Sequence, residues 1–203
     1  MKILILEGCD NTGKTTLISN IIKKYNTKYN IVIKHCGKPL PNMSQSIFFT
    51  KEFYSIKDLI EIEKNNYKEF LLIYDRFIIG EYVWGSLYRH NDIDTIRNTI
   101  VNPTIININE IIDRNNIVQI LLDASSEFVY NHDDGQSLGS TYNKDEFIMK
   151  IDKQREIFKK CLSDNYYNNL SDYYIYNVDC DNKFKSENEI ITDIIEILNK
   201  YNF

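Results

Sequence analysis

The stretch of sequence that decides the fold is LEGCDNTGKTTLI, residues 6–18. The spacing of its two glycines, its lysine and the threonine that follows fits the pattern G-x-x-x-x-G-K-[ST]. Residues 2–6 form an apolar run that predicts a buried strand, and residues 14–25 repeat apolar side chains at helical spacing. Because the pattern is specific when a strand precedes it and a helix follows, we interpret it as a phosphate-binding loop rather than an ordinary turn.

The residue types of this loop suit an anionic ligand. Gly8 and Gly13 allow backbone conformations that side chains would prevent, so that successive N–H groups can turn towards phosphate oxygens. The positive end of the following helix points at the same anion; Lys14 can reach the β and γ phosphates, and the Thr15 hydroxyl can ligate Mg²⁺. The predicted ATP- and phosphate-binding residues are Gly8, Asn11, Thr12, Gly13, Lys14, Thr15 and Thr16.

Apolar runs and helical stretches alternate along the chain. Strands are predicted at residues 2–6, 30–34, 70–74, 117–122 and 173–178. Helices are predicted at residues 14–25, 56–65, 77–89, 93–100, 105–114, 145–161 and 187–201. Nearly continuous apolar strands flanked by helices are typical of a parallel sheet covered on both faces. We therefore expect an α/β fold with three layers and a five-stranded parallel sheet, in a single domain over residues 1–203.

The composition disfavours several other classes of protein. The 203 residues carry a formal net charge of -5 with a pI near 5.3, so a basic face for duplex nucleic acid is not expected. The four cysteines are widely spaced, which favours reduced, buried thiols over a zinc site. The first apolar run is too short for a signal peptide, and no stretch approaches the length of a membrane span. We expect a cytoplasmic protein that binds neither nucleic acid nor membrane.

A second informative segment is FLLIYDRF, residues 70–77. Asp75 follows an apolar strand, the place where phosphate-loop enzymes position an acid that holds the magnesium shell. Arg76 brings a planar cation to the same strand end, and a guanidinium can pair with a phosphate through two parallel hydrogen bonds. The alternative is an ion pair on the surface, which would contribute little to stability. The position beside a phosphate loop favours the functional interpretation.

Together these segments resemble those of thymidylate kinases. LEGCDNTGKTT is similar to their E-G-x-D-x-x-G-K-[ST]-T loop. YDRFIIGEYVWGSLYR, residues 74–89, is similar to their D-R-[YHF] segment in the variant of phage and large-virus nucleotide kinases. The resemblance covers essentially the whole chain. It implies a P-loop NTPase-type fold, usually a homodimer, that transfers the γ-phosphate of ATP to dTMP with Mg²⁺.

The resemblance assigns roles to individual residues. Asp10 matches the carboxylate that contacts the 3′-hydroxyl of the acceptor sugar, Asp75 the acid near the reacting phosphates, and Arg76 the arginine that clamps the acceptor phosphate. Independently of the resemblance, an acid inside a phosphate loop would repel the triphosphate, which suggests that Asp10 faces another ligand. Trp84 matches an aromatic residue near the nucleoside, with a place in the helix core as the alternative. The predicted catalytic residues are Lys14, Asp75 and Arg76, and the predicted Mg²⁺ ligands are Thr15 and Asp75.

Other acceptor-side positions depart from the family pattern. In KHCGKPLP, residues 34–41, the family has an arginine for the acceptor phosphate, whereas this chain offers Lys38 or, as the less favoured candidate, His35. In FFTKEFY, residues 48–54, relatives stack an aromatic ring on the base beside an arginine, and this chain offers Phe49 and Phe53 without an arginine. The predicted acceptor-binding residues are Asp10, Lys38, Phe49, Phe53, Arg76 and Trp84.

A mobile lid is predicted at residues 125–143, which contain two glycines and adjacent acids without apolar periodicity. Relatives supply an arginine from the phosphate loop or from this lid, because phosphoryl transfer needs cations around the moving group. This chain has an arginine in neither segment, so that His132 and Lys144 are the lid candidates, with Arg89 and Arg155 as the nearest arginines.

Two further segments have roles that the sequence leaves open. The resemblance places the bend after the fifth strand against the adenine of ATP, so residues 179–182 are candidate adenine neighbours, with a surface turn as the alternative. Glu81 and Tyr82 share the helix of Trp84 and face either the acceptor or solvent.

The function expected from these observations is ATP-dependent phosphoryl transfer to a deoxynucleoside monophosphate, with dTMP as the first candidate. Two alternatives remain. A deoxynucleoside kinase needs a carboxylate base near the acceptor 5′-hydroxyl, and the E-R-S segment typical of those enzymes is absent. A non-catalytic nucleotide-binding module would explain the missing arginine, because a phosphate loop alone indicates binding and not chemistry.

Overall fold

The centre of the molecule is a five-stranded parallel sheet. The structure is a computed structural model that describes residues 1–36, 43–133, 142–181 and 183–203. The strands are β1 (Lys2–Glu7), β2 (Asn30–His35), β3 (Phe70–Asp75), β4 (Ile117–Asp123) and β5 (Tyr173–Asn177). Their order is β2-β3-β1-β4-β5, and every neighbouring pair is parallel. Since every side chain of β1 and β4 is buried, both faces of the sheet are covered, which confirms the predicted fold class.

Helices connect and cover the strands. They are α1 (Lys14–Tyr25), α2 (Gln45–Lys64), α3 (Gly80–Tyr88), α4 (Ile93–Ile96), α5 (Asn102–Asn109), α6 (Ser126–Asn131), α7 (Lys144–Ser163) and α8 (Glu187–Asn199). A π-helical turn joins α4 to α5, and a short 3₁₀ turn precedes β4. Among the described residues, we find no helix that combines the length and the apolar character needed to cross a bilayer.

The parallel register brings polar strand ends to one edge of the sheet. Asp75, the last residue of β3, is level with Leu6 of β1 and with His35 of β2. Asp123 ends β4 on the other side of β1. Because ligands of such sheets bind beyond the carboxyl ends of the strands, this edge is where a site is expected.

Helix α2 begins at Gln45 instead of residue 56. The hydroxyl of Ser44 accepts a hydrogen bond from the backbone N–H of Ile47 and so caps the helix. Phe49 and Ile56, two turns apart, are the residues of this helix that are buried. The aromatic segment at residues 48–54 is therefore part of a helix, and a serine that can cap a helix, Ser44, is the feature of the sequence that marks its start.

The segment that follows α3 is one helical unit rather than two separate helices. A π-helical turn at Arg97–Val101 lies between α4 and α5, directly before Pro103. Proline has no N–H to donate to the preceding turn, and such a gap in the hydrogen-bond ladder is accommodated by a local change of helical pitch. Helix α5 ends at Asn109, which is before the predicted end at residue 114.

The region predicted as a lid begins with a helix. Ser125 caps α6 by accepting a hydrogen bond from Phe128 N, and Phe128 and Val129 are buried. The rest of the lid is only partly described, because residues 134–141 lie outside the described residues. The lack of apolar periodicity over residues 125–143 did not indicate this helix, which covers residues 126–131.

Two short strands after β5 were not predicted. β6 (Asp179–Cys180) and β7 (Lys183–Phe184) pair antiparallel as a hairpin. Asp181 lies at the turn with a φ of 51°, a left-handed conformation that aspartate tolerates better than most residues. Adjacent Asp and Asn residues between two short segments are typical of such a turn, and this signal was available in the sequence.

Candidate active site

The phosphate-binding loop predicted at residues 8–15 links β1 to α1. Gly8 has a φ of 143°, and a Cβ there would lie 2.5 Å from the carbonyl oxygen of Leu122, so only glycine fits between the loop and β4. Gly13 has a φ of 80° and precedes α1, which begins without a hydrogen bond from a side chain to its first turn. The first N–H groups of α1 are consequently available to an anion.

Lys14 lies inside this loop. Its side chain is buried, and Nζ donates hydrogen bonds to the carbonyl oxygens of Gly8 (3.1 Å) and Cys9 (2.5 Å). The pKa of Lys14 is lowered to about 8, mainly by burial of the side chain and next by the nearby charge of Arg76. A phosphate group would offer this ammonium a stronger partner than neutral carbonyl oxygens do.

The loop opens onto a cleft of about 350 Å³. The carboxyl ends of β2 and β3 form its other wall, through His35, Asp75 and Arg76. Its remaining lining residues all belong to the loop and the start of α1, and they are Asp10, Asn11, Thr12, Gly13, Lys14, Thr15 and Thr16. The structure therefore brings the predicted phosphate-binding residues other than Gly8, the predicted metal ligands and two predicted acceptor-binding residues to one cavity.

Arg76 faces the phosphate loop across this cleft. Its guanidinium donates a hydrogen bond from Nη2 to the carboxylate of Asp10, and the guanidinium carbon lies 5.1 Å from the ring centroid of Trp84. Arg76 has a φ of 65°, a left-handed conformation that is unusual for a residue with a side chain. Backbone strain of this kind is found where a side chain must point in a particular direction.

Asp75 and Thr15 fit a magnesium ion. Oδ1 of Asp75 is buried without a hydrogen-bond partner in the described part of the chain, while Oδ2 accepts from Nδ1 of His35 at 3.0 Å. Among the described residues there is no group of three or more His, Cys, Asp or Glu side chains around a common point. Mg²⁺ needs no such group, because it is typically held by one or two protein oxygens together with water and substrate phosphates.

His35 belongs to the cleft, although the sequence analysis ranked it below Lys38. It ends β2, and its side chain is 57% exposed beside Asp75. Lys38 lies outside the described residues. In the described part of the chain, His35 at the end of β2 is therefore the residue of this segment that lines the cleft, in the segment where the resemblance implies an arginine.

The two predicted base-stacking residues do not reach the cleft. Phe49 is 1% exposed and packs its ring edge against Phe77 at 5.6 Å between centroids. Phe53 is partly buried and contacts the ring of Tyr54 and the ammonium of Lys57. Neither lines the described cavity, and the position of Phe49 corrects its assignment to a base: the helix that contains it directs it into the core.

Glu81 and Tyr82 are buried and line neither described cavity, so of the two alternatives left open for them the one that places them in solvent is wrong. Both oxygens of Glu81 accept hydrogen bonds from Arg89, at 2.8 and 3.4 Å, and one of them also accepts from Gln45. The hydroxyl of Tyr82 donates to the carbonyl oxygen of Tyr167 at 3.0 Å. These contacts hold α3 against α2 and the segment before β5.

The two lid candidates, His132 and Lys144, do not line the cleft. His132 stacks on Phe128 at 4.1 Å between ring centroids and donates from Nδ1 to the carbonyl oxygen of the same residue. Lys144, the first residue of α7, lies over the ring of Tyr130 at 5.5 Å. Within the described ranges, Arg76 is the arginine that lines the cleft, and the catalytic cation expected from the lid is not found there.

A second cavity of about 240 Å³ adjoins the phosphate loop on its other side. Three residues, Thr12, Gly13 and Thr16, line both cavities, so the two meet at the loop. Apolar side chains dominate the rest of its lining, and they are Leu17, Leu122, Val178, Phe184, Ile190 and Ile191.

The predicted adenine neighbours at residues 179–182 do not line this second cavity, as far as they are described. Asp179 instead accepts a hydrogen bond from the hydroxyl of Ser125 at 2.7 Å, and Asn182 lies outside the described residues. The residues on either side of the turn, Val178 and Phe184, line the cavity, because the hairpin folds Phe184 back towards Gly13.

The carboxyl end of β4 carries an ion-pair cluster. Asp123 is 3% exposed and accepts from Arg155 through both oxygens, at 2.7 and 2.9 Å, and from Lys159 at 2.6 Å. Burial raises the pKa of this carboxyl, but the hydrogen bonds from Arg155 and Lys159 hold it below its usual value. Arg155 is thus tied to β4 and is not free to serve as a mobile cation in this conformation.

We expect Asp123→Asn to lower the free energy of unfolding by about 1–3 kcal/mol at pH 7, because the partly buried guanidinium of Arg155 loses its buried counter-charge and keeps the exposed Asp152, at 3.4 Å. A carboxyl whose pKa is lowered by folding stabilises the protein above its unfolded pKa, and this contribution is lost as the pH falls through the folded pKa. The difference between the variants is therefore expected to shrink below about pH 4. Urea titrations at pH 7 and at about pH 3 compare the free energies of unfolding of the two proteins, with Asp58→Asn on the exposed face of α2 as the control. Equal stability of Asp123→Asn and wild type at pH 7 would contradict the role of this cluster.

No family model matches the sequence, and no curated protein matches it by sequence. Solved structures match it over nearly its whole length. Thymidylate kinase from Candida albicans superposes with a TM-score of 0.61 at 14% identity, over 100% of this chain and 93% of that one. The YorR protein of Bacillus subtilis, solved in complex with phosphorylated GDP, superposes with a TM-score of 0.59 at 17% identity, over 97% of this chain and 95% of that one. Thymidylate kinase from Ehrlichia chaffeensis superposes with a TM-score of 0.55 at 13% identity, over 97% of this chain and 98% of that one. At such identities the likeness is one of fold, and the chain has the thymidylate kinase-like, P-loop NTPase-type fold that its two motifs predicted.

Proposed function

We propose that this chain is an ATP-dependent nucleotide kinase that phosphorylates a deoxynucleoside monophosphate, with dTMP as the first acceptor to test. One observation carries the proposal: the phosphate loop and the Asp10–Arg76 pair line the same cleft. A loop that binds the donor phosphates then faces an arginine able to bind a second phosphate. The fold shared with two thymidylate kinases supports the choice of acceptor.

The chemistry proposed for the cleft is positioning and charge stabilisation. Lys14 and the N–H groups of the loop would hold the β and γ phosphates of ATP, and Arg76 would hold the acceptor phosphate in line with them. Mg²⁺, held by Asp75 and Thr15, would neutralise charge on the donor phosphates. A phosphate acceptor needs cations rather than a general base, which is why Arg76 favours a monophosphate over a nucleoside.

The second cavity is proposed as the site of the donor base. It adjoins the phosphate loop at Gly13, so a nucleoside joined to phosphates in the loop can extend into it. The ring of Phe184 is 42% exposed and lines this cavity, where it would offer a base a stacking surface. Aromatic rings stack on any of the nucleobases, because every base has a flat π-face.

We expect Phe184→Ala to weaken ATP binding about tenfold, the scale of one lost stacking contact, and to leave inorganic tripolyphosphate binding unchanged. Tripolyphosphate occupies the loop without a base, so that the comparison isolates the second cavity. Isothermal titration of both ligands measures the effect, with Phe184→Tyr as the control that keeps the ring. Equal weakening of both ligands would show that Phe184 supports the loop and does not contact a base.

The activity is tested by following ADP release from ATP and Mg²⁺ in the presence of individual deoxynucleosides and monophosphates. Stimulation by monophosphates, dTMP foremost, is the expected result. Stimulation by nucleosides alone would assign a deoxynucleoside kinase instead.

A specific observation supports a second candidate, a nucleotide-binding module with little turnover. In the described part of the chain, Arg89 and Arg155 are engaged in ion pairs and Arg76 is the arginine of the cleft. Beyond Lys14 and the acceptor-side Arg76, an arginine free to stabilise the moving phosphoryl group is then lacking in the described cleft. Tight ATP binding without ADP release for any acceptor would favour this module over the kinase.

A further inference from the structure

The corner between β3 and α3 sets the direction of Arg76. Arg76 adopts a left-handed backbone with a φ of 65°, and its N–H donates to the carbonyl oxygen of Leu6 at 2.8 Å. The chain then turns, and α3 begins at Gly80 rather than at the predicted residue 77. An unusual conformation of this kind persists only where the surroundings hold it in place.

The side chain of Glu7 binds this corner at two points. Glu7 is 0% exposed, and its Oε1 accepts hydrogen bonds from the backbone N–H of Phe77 at 3.0 Å and of Gly80 at 3.2 Å. Phe77 directly follows Arg76, and Gly80 starts α3. Glu7 also ends β1, immediately before the phosphate loop. One buried acceptor thus ties the backbone on the far side of Arg76 to the base of the loop.

At this buried position an apolar residue would pack better than an acid, so packing alone does not explain Glu7. Burial raises the pKa of Glu7 to about 7, while the amides of Phe77 and Gly80 and the charges of Arg76 and Lys14 lower it. Its second oxygen, Oε2, is buried without a partner in the described part of the chain. A buried polar group is costly unless its hydrogen bonds are needed, and the bonds that Glu7 makes all go to the corner.

We infer that Glu7 is a positioning residue of the proposed kinase, which fixes the corner at residues 76–80 so that Arg76 meets Asp10 across the cleft. The inference rests on the proposed function for its catalytic consequence, but not for its geometry. Glu7 itself lines neither described cavity and is not placed in contact with a substrate.

The chain contains a built-in reporter of the position of Arg76. Trp84 is its only tryptophan, and the guanidinium of Arg76 lies 5.1 Å from its ring centroid. Tryptophan emission responds to a nearby charge, so a displaced Arg76 is expected to change the emission of Trp84. This readout needs neither ATP nor turnover.

The test compares Glu7→Gln with Glu7→Met. The carboxamide oxygen of glutamine can still accept from Phe77 and Gly80, so we expect the emission of Trp84 and the acceptor KM to stay within about twofold of wild type. Methionine has similar length but no comparable acceptor, and we expect it to lower kcat/KM for the acceptor at least tenfold, a scale set by the unsatisfied amides. Its emission is expected to move towards that of Arg76→Ala, and its ATP KM to change less than about threefold.

A second variant covers the case in which Glu7→Met does not fold. A Cβ at Gly80 would lie 3.3 Å from Oε2 of Glu7 and 3.3 Å from Nε1 of Trp84, so Gly80→Ala displaces the carboxylate while it favours the helix. We expect it to raise the acceptor KM about threefold without a loss of thermal stability. An unchanged acceptor KM and emission in folded Glu7→Met, or an unchanged acceptor KM in Gly80→Ala, would overturn the inference.

Failure of the inference and failure of the proposed function give different results. Wild-type protein that phosphorylates no acceptor contradicts the kinase, while an emission change in Glu7→Met would still support the positioning of Arg76. Wild-type turnover together with an unchanged emission and KM in Glu7→Met contradicts the role of Glu7 alone. A general loss of stability would lower turnover without separating the acceptor KM from the ATP KM.

Discussion

Lys14→Ala is expected to reduce turnover about 10³-fold, the scale of removing a pre-positioned charged donor from a phosphate site. Nζ of Lys14 is held by the carbonyl oxygens of Gly8 and Cys9, so it already lies within the loop where donor phosphates are proposed to bind. Alanine removes this cation and leaves the glycine-dependent backbone of the loop intact. The loss is therefore expected in kcat and in ATP affinity, and steady-state kinetics with ATP as the varied substrate measure it.

The folded state of Lys14→Ala is expected to be as stable as that of the wild type. Burial lowers the pKa of Lys14 to about 8, which means that the fold bears a cost in keeping this ammonium charged. Lys23→Ala, at an exposed position near the end of the same helix, is the matched control and is expected to retain full activity. Full turnover in Lys14→Ala would remove the loop from the mechanism.

The features that the sequence predicted well are those that local chemistry determines. Gly8 and Gly13 are required by the backbone itself, one by the close approach of Leu122 and both by positive φ values. The strands were recognisable because burial on both faces demands continuous apolar runs. The fold and the placement of Asp75 and Arg76 at a strand end follow from such local signals.

The features that the sequence did not predict depend on contacts between distant residues. The hydrogen bonds of Glu7 reach Phe77 and Gly80, which are 70 and 73 positions further along the chain. The same is true of Phe49, whose aromatic ring suits a base as well as a core until its helix is oriented against Phe77. A charged residue directly after the four apolar residues 3–6 of KILILE was the available sign that Glu7 has a special role.

Arg76→Ala is expected to lower kcat/KM for the acceptor by about 10²–10³-fold, the scale of truncating one partner of a hydrogen-bonded charge pair, which is partly buried here. The guanidinium has two described contacts, with the carboxylate of Asp10 and with the ring of Trp84. Alanine also has a Cβ, so the left-handed backbone is equally strained in both proteins and only the guanidinium is lost. Kinetics at saturating ATP, with the monophosphate varied, measure the effect, and the ATP KM is expected to change little.

Three further variants show whether the loss belongs to the acceptor phosphate. Arg114→Ala, at an exposed position before β4, is the control for removal of a surface arginine and is expected to behave as wild type. Arg76→Lys keeps the charge without the planar fork, so it is expected to recover only part of the activity. Asp10→Asn combined with Arg76→Ala is expected to be less impaired than the sum of the single changes, because each single change leaves an unpaired charge in the cleft. If the acceptor KM and kcat are unchanged in Arg76→Ala, the second phosphate binds elsewhere. The shared cleft of the phosphate loop and the Asp10–Arg76 pair would then no longer support the proposed kinase.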